Sequence, residues 1–320
     1  MEKTYIIVNP VAAQGGCLKE FKKVKGILET LKEPAKVFFT EYPKHAMELA
    51  RSAVKEGAER IVSFGGDGTH NEVLNGVLLA AEELFKKTAF EFKESEKEAL
   101  PTLGIVSVGS GNDFGKTLRI PKDTITSLKV ALFNKPHFTD AGYFEFEDYD
   151  RNNAKRFFLN ILSGGFSGVV TDRANKSKKS IFKGLSYLIA LISTLINLTI
   201  PDGVLKQQKK EDLNGKFFEF DVANGEYFGG GMHVSPKAII NDGFLNVSVF
   251  KDYTSIEILF KLKKLFDGTI LTEKKLYHDF TKEVFIKTNP KSLVEVDGEV
   301  VGYTPVLAKV LENTVKIAMP

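Results

Sequence analysis

The chain has 320 residues, 43% of them apolar and 27% charged, with 44 basic against 41 acidic side chains. That composition belongs to a folded chain long enough for two domains with their own cores, and it excludes a disordered or collagen-like one. A formal net charge of +3 gives no electrostatic argument for nucleic acid, and the single cysteine, Cys17, excludes an internal disulfide framework and fits a reducing compartment.

Met1, Glu2 and Lys3 lead toward an apolar strand over residues 5–8 without the layout of a secretory leader, so a cytoplasmic setting is expected. The strand ends in Asn9-Pro10, a turn signal. The loop VAAQGG then leads to a helix expected to turn Leu18, Phe21, Val24, Leu28 and Leu31 inward. A second strand over 36–40 precedes a helix carrying Leu49, Ala50, Ala53 and Val54. The third unit, RIVSFGGDGTHNEVLNGVLL, is the most informative stretch. Residues 60–64 read as a buried strand, and Gly65, Gly66 and Gly68 then surround Asp67. Val73, Leu74, Val77, Leu78 and Ala81 follow at helical spacing, with Thr69 and Asn71 expected near the helix start. Glycines let backbone approach closely, and a helix N-terminus adds positive potential, so this turn suits an anion, most often phosphate. An ordinary βα turn is the plain alternative; an acid, a hydroxyl and an amide within one turn favour a nucleotide.

Residues 86–99 are polar and read as a surface insertion before a fourth strand over 102–108. Strands alternating with helices predict a parallel sheet covered on both faces, with ligands beyond the carboxyl ends of its strands. Three loops would meet there: 9–16, 65–71 and 109–114. SGNDFGKT departs from the P-loop pattern at Ser110 and follows the fourth strand rather than the first, so it reads as a second glycine loop. Lys116 is either near phosphate or a solvated helix residue.

From about residue 136 the pattern changes to short β-rich runs without alternating helices, which predicts an antiparallel second domain. The expected division is an α/β domain over 1–135 and a β-rich domain over 136–305. The last strand, about 306–320, is a candidate to return to the first. Residues 184–201 carry no charge and are expected to form a helix with Ser186, Ala190, Ser193 and Asn197 on one face. Lys176, Lys178, Lys179 and Lys183 precede it, and Lys206, Lys209 and Lys210 follow. Two readings stand: a helix at an anionic membrane surface, or a core helix with solvated lysine loops. NDG at Asp242 and DG at Asp297 both read as hairpin turns. The five histidines show no metal-ligand spacing, and His70 is expected on a helix surface.

Three segments in this order and spacing, VNPVAAQGG, FGGDGTHNEVLNGVL and VGSGNDFGKTL, resemble the diacylglycerol kinase catalytic family, soluble bacterial-type lipid kinases related to sphingosine kinases. GGDGT alone is shared with NAD kinases; followed by NEV and then GSGNDF it is far more specific. NGEYFGGGMHVSPKAIINDGFLNV is a second match. Ser110 stands where the family usually has threonine and Lys116 where it often has arginine, both mild departures.

The resemblance implies an active site in the cleft between the domains, with ATP and Mg2+ as cofactors. It places Gly65, Gly66, Asp67, Gly68 and Thr69 at the phosphates, and Asn9, Pro10, Ala12, Ala13, Thr40, Asn71 and Ser110 around the nucleotide. It implies a magnesium ion on Asp242 and the carbonyls of Ile239 and Phe244, a ligand set of the kind hard cations prefer. Glu299 becomes the proton acceptor, with Asp67 as the rival base. The expected acceptor is a lipid hydroxyl, most often diacylglycerol. A peripheral membrane contact and a homodimer are the expected associations, with no nucleic acid. An NAD kinase and a non-catalytic lipid-binding regulator are the competing readings.

Overall fold

The computed structural model describes residues 3–30, 34–109, 111–176, 195 and 198–320. Ser110, Leu31, most of the 184–201 segment, and Lys178, Lys179 and Lys183 lie outside the described residues.

In the first half, β1 (Thr4–Val8), β2 (Lys36–Phe39), β3 (Arg60–Gly65) and β4 (Thr102–Ser107) pair in parallel in the order β2-β1-β3-β4. Its helices are α1 (Gly16–Leu28), α2 (His45–Lys55), α3 (Asp67–Phe85), α4 (Glu94–Ala99), α5 (Asp113–Thr117) and α6 (Thr124–Phe133). Side chains alternate across a strand, and here the alternation divides two cores. Tyr5, Ile7 and Ile61 pack toward α2 and α3, while Ile6, Val8 and Val62 pack toward α1 and α6. At Gly76 a Cβ would lie 2.3 Å from the Met47 carbonyl oxygen, so α2 and α3 meet in direct backbone contact.

Two details differ from expectation. Helix α1 turns Cys17, Phe21 and Val24 inward, and Leu18 is exposed, because the chain enters the helix at Gly16 and the 17/21/24 spacing falls on the sheet side. Residues 86–99 are no loose insertion. Ala89 and Phe92 are buried, and Phe92 packs edge-on against Phe85 with ring centroids 5.2 Å apart.

The second half runs β5 (Pro136–Glu147), β6 (Asn153–Phe158), β7 (Ile161–Gly165), α7 (Phe166–Lys176), β8 (Asp202–Gln207), β9 (Leu213–Ala223), β10 (Leu245–Lys251), α8 (Ser255–Asp267), β11 (Leu276–Thr281), β12 (Glu283–Asn289), β13 (Leu293–Val296) and β14 (Glu299–Ala318). These strands pair antiparallel with one another. One apolar cluster, with Phe144, Phe158, Phe220 and Val247, fills the space between strands; another, with Phe218, Phe250, Ile258 and Leu265, lies beneath α8.

The two halves are joined by backbone ladders rather than only packed together. Strand β14, 20 residues long, pairs with β13, β12 and β5, then runs parallel to β4 at Ile317 opposite Leu103. It starts at Glu299 because Asp297 (φ 47°) and Gly298 (φ 89°) form the two-residue turn that reverses the chain after β13. The NDG sequence makes no such hairpin: β9 ends at Ala223 and β10 begins at Leu245, so Asp242 lies in a long connection.

Candidate active site

Strand β3 runs straight into the glycine turn, and α3 starts at Asp67 with Gly66 in extended conformation before it. Gly65 has no room for a side chain, since a Cβ would meet the Thr69 hydroxyl oxygen at 2.5 Å. Around Gly68 a Cβ would meet nothing within 4 Å, so the space over the first turn is open. A 19-residue helix pointing its N-terminus at that space supplies amide donors and partial positive charge. Thr69 and Asn71 do not cap the helix; both lie buried within its first turns.

Side-chain bonds stitch the other loops onto this turn. Asn9 donates from Nδ2 to the Thr69 hydroxyl at 3.0 Å, while its own backbone N–H reaches the Phe64 carbonyl at 3.0 Å. Beyond it Ala13, Gln14 and Gly15 all have positive φ (51°, 58° and 84°), curling the loop back toward α1. The Thr40 N–H bonds to the Val8 carbonyl at 2.9 Å, which sets Thr40 beside the end of β1. Asp67 accepts the backbone N–H groups of Asp113 and Phe114, each at 3.1 Å. Burial raises its carboxyl above the ordinary range, against the pull of those bonds. A Cβ at Gly111 would sit 3.3 Å from Asp67 Oδ2, so a side chain there would press on that carboxylate. Asp113 in turn accepts Lys116 Nζ at 2.8 Å and the Gly230 N–H at 2.7 Å, reaching into the second half. Lys116 is therefore an ion-pair partner at the junction.

Glu299 meets the same helix from the opposite side. Arg156 on β6 donates from Nη2 to Glu299 Oε2 at 2.9 Å and to Asn71 Oδ1 at 3.0 Å. Asn71 donates to Asp297 Oδ2 at 2.8 Å, and Asp297 also accepts the N–H groups of Leu159, Asn160 and Ile161. Burial pushes the Asp297 carboxyl up to about 6 despite these donors. Arg156, Asp113 and Asp297 were not singled out as site residues from the sequence. Asp297 was legible only as a turn residue, and a lone arginine in a strand carries no motif.

Asp242 lies outside this constellation. Its Oδ1 accepts the Phe244 N–H at 2.9 Å, and the adjoining Gly243 N–H goes to the buried carboxyl of Asp140 at 2.7 Å. Burial raises Asp140, and Asp242 and Glu312 add to the shift. Among the described residues no three His, Cys, Asp or Glu side chains converge as a metal-holding group. Asp242 is itself exposed, and a carboxylate with turn carbonyls is a donor set of the kind a hard cation takes.

His70 is buried, not on the surface. Its Nδ1 pairs with the Ser63 hydroxyl at 2.7 Å and its Nε2 with Ser107 at 3.2 Å, and burial pushes it down to about 3. It is a neutral strap between β3 and β4.

Asp67, Gly111 and Gly298 stand at one end of a cavity of about 620 Å³ that runs between the β9 side of the sheet and helices α7 and α8. Its far walls are apolar, with Phe166, Val170, Phe218, Met232, Ile258 and Leu265 among them. Acids gather at its neck: Glu219, Asp221 and Glu295, with Asp297 alongside.

A family model described as the diacylglycerol kinase catalytic domain matches residues 3–144, and one described as the YegS C-terminal NAD kinase beta sandwich-like domain matches residues 160–319. The chain is 30% identical over 264 residues to a Chromohalobacter salexigens protein named probable lipid kinase YegS-like, covering 82% of this chain and 75% of that one. It is 28% identical over 215 residues to a Klebsiella pneumoniae protein of the same name, covering 67% of this chain and 64% of the relative. A crystal structure described as a diacylglycerol kinase from Bacillus anthracis shares the fold, with a TM-score of 0.69 at 20% identity over 100% of this chain and 97% of that one. The chain belongs to the diacylglycerol kinase catalytic family of lipid kinases, with a YegS-type C-terminal domain.

Proposed function

We propose that the protein moves the γ-phosphoryl group of ATP onto the hydroxyl of a lipid, in the cleft where the glycine turn faces Glu299. The observation that carries this reading is the run Asn71–Arg156–Glu299, in which one guanidinium ties the helix behind the glycine turn to a half-exposed carboxylate from the other half. The lipid hydroxyl oxygen attacks the γ-phosphorus, its proton passes to Glu299, and the bond from that phosphorus to the bridging oxygen breaks as ADP leaves. Gly65, Gly66, Gly68 and Thr69 carry the phosphates. Asn9, Pro10, Ala12 and Ala13 border the nucleotide on one side, with Thr40 and Asn71 on the other. Asp67 positions the third loop rather than acting as base, because each of its oxygens already takes a backbone N–H.

Magnesium would be held by Asp242 and the carbonyls of Ile239 and Phe244, where it would screen the acids of that turn. The acyl portion of the acceptor fits the apolar length of the cavity. Diacylglycerol is the acceptor that the family's description carries, and the residues around the phosphates do not themselves select it.

The outer face of α8 supports transient contact with an anionic membrane surface from the cytoplasm. Ile256, Phe260 and Phe266 are 69%, 78% and 59% exposed, and Lys263 lies among them on the same face. The inner face of that helix, Ile258 and Leu265, lines the cavity. Among the described residues no helix is long and apolar enough to cross a membrane.

Incubation with γ-labelled ATP, a panel of lipid alcohols and NAD tests the reading, with Glu299→Ala as control. Label in lipid is expected, falling by about 10²- to 10⁴-fold in the variant. Label in NAD alone, or in nothing, overturns it.

A further inference from the structure

Three buried carboxyls at the neck of the cavity hold neither the nucleotide nor the transferred proton. Strands β9, β7 and β13 lie side by side, with Asp221 opposite Ser163 and Ser163 opposite Glu295. Neighbouring strands are about 4.8 Å apart, so the two carboxyls flank Ser163 with space for one small group over it. Glu219 stands two residues along β9 from Asp221 and projects from the same face. Glu219, Asp221 and Glu295 are 5%, 1% and 4% exposed, yet each lines the cavity.

Their hydrogen bonding is incomplete. Glu295 takes the Ser163 hydroxyl at 2.8 Å and the Gly298 N–H at 2.7 Å. Glu219 takes the Ser167 N–H through Oε2 at 2.8 Å, and among the described residues its Oε1 and both oxygens of Asp221 have no partner. The charges acting on them are acids too: Glu295 on Asp221, Asp221 and Glu295 on Glu219, and Asp297 and Asp113 on Glu295. Burying carboxyls this way costs stability unless a donor of opposite charge arrives. Three oxygens without partners match the three N–H donors of an ammonium group.

We propose that Glu219, Asp221 and Glu295 form a cation subsite that selects an acceptor lipid bearing an ammonium group beside its hydroxyl, a long-chain amino alcohol. The position fits the reaction, because Gly298, whose N–H Glu295 holds, directly precedes Glu299. An ammonium over Ser163 leaves a hydroxyl one or two carbons away at the DGE turn and sends the chain along Phe218 and Met232. Diacylglycerol offers ester carbonyls, which are acceptors, and would leave all three oxygens unpaired. The inference rests on the lipid-kinase reading of the site and narrows its substrate. Binding an ammonium requires the carboxyls ionised, so preference for the amine strengthens as pH rises through the range in which they lose their protons.

Sphinganine and N-acetylsphinganine share chain and hydroxyls and differ in the charge on nitrogen; presented with dioleoylglycerol in mixed micelles, they form the test. We expect kcat/KM for sphinganine to exceed that for N-acetylsphinganine at least tenfold at pH 8, with the ratio narrowing toward pH 6. Asp221→Asn should reduce that ratio about tenfold, and Glu219→Gln supplies the same readout if the first variant does not fold. Dioleoylglycerol or N-acetylsphinganine turned over as well as sphinganine by the wild-type protein overturns the subsite and leaves the lipid-kinase reading standing. Label in none of the three but in another lipid alcohol of the panel overturns the subsite alone, and label in no lipid at all overturns the lipid-kinase reading itself.

Discussion

Burial decides the behaviour of the acids around the candidate site more than pairing does. Glu295 is raised from 4.5 to about 7 and Asp297 from 3.8 to about 6, in both cases chiefly by removal from water. Each carboxyl therefore holds its proton more tightly folded than unfolded. Its contribution to stability is full below the unfolded value and is lost as pH rises through the folded one. The melting temperature is accordingly expected to fall between pH 4.5 and pH 7, and Glu295→Gln should flatten that slope, by on the order of 3 kcal/mol across the window. A profile equally steep in the variant would count against it. His70 makes the same point from the other direction. In THNEV it reads as polar and surface-facing, yet it is buried and hydrogen-bonds with two serines on neighbouring strands. A sequence shows which residues are polar, but not which ones find partners indoors.

At the scale of elements, the parallel half was the more legible. Its strands are short apolar runs, its helices repeat at 3.6, and the glycines of the third unit mark a turn in which Gly65 has no room for a side chain. Strand β9 misleads by the same logic. In KFFEFDVA, Glu219 and Asp221 alternate with apolar residues, the pattern of a strand with one wet face. Helices α7 and α8 cover that face, so the acids end inside. Helix α8 is the complementary case, carrying apolar residues on both faces although only one meets the sheet. Phe260→Glu is expected to weaken binding to vesicles containing phosphatidylglycerol about tenfold in a sedimentation assay, with the melting temperature unchanged because Phe260 is 78% exposed. Undiminished binding would take α8 out of the membrane contact.

At the scale of the whole molecule, a division into an α/β half and a β-rich half could be read from the change in pattern near residue 136. A return of the last strand to the first half was a candidate from the sequence as well, but the ladders it makes on the way were not. Strand pairing depends on which edges remain open after the chain has folded, and nothing in the letters of β14 announces that it ladders with β5, β12, β13 and β4 in turn. Urea unfolding is expected to show one transition, coincident for near-ultraviolet circular dichroism and for nucleotide binding. Two separated transitions would mean that the halves melt independently.

A strand shared by both halves has a further consequence for how the protein works. Domains that open and shut around their ligands usually swing on a few unpaired residues between them, and β14 offers a pleated beam where such a hinge would be. Entry to the proposed site is then expected at its rim, where side-chain hydrogen bonds of Asn9, Asp67 and Asp113 tie the loops.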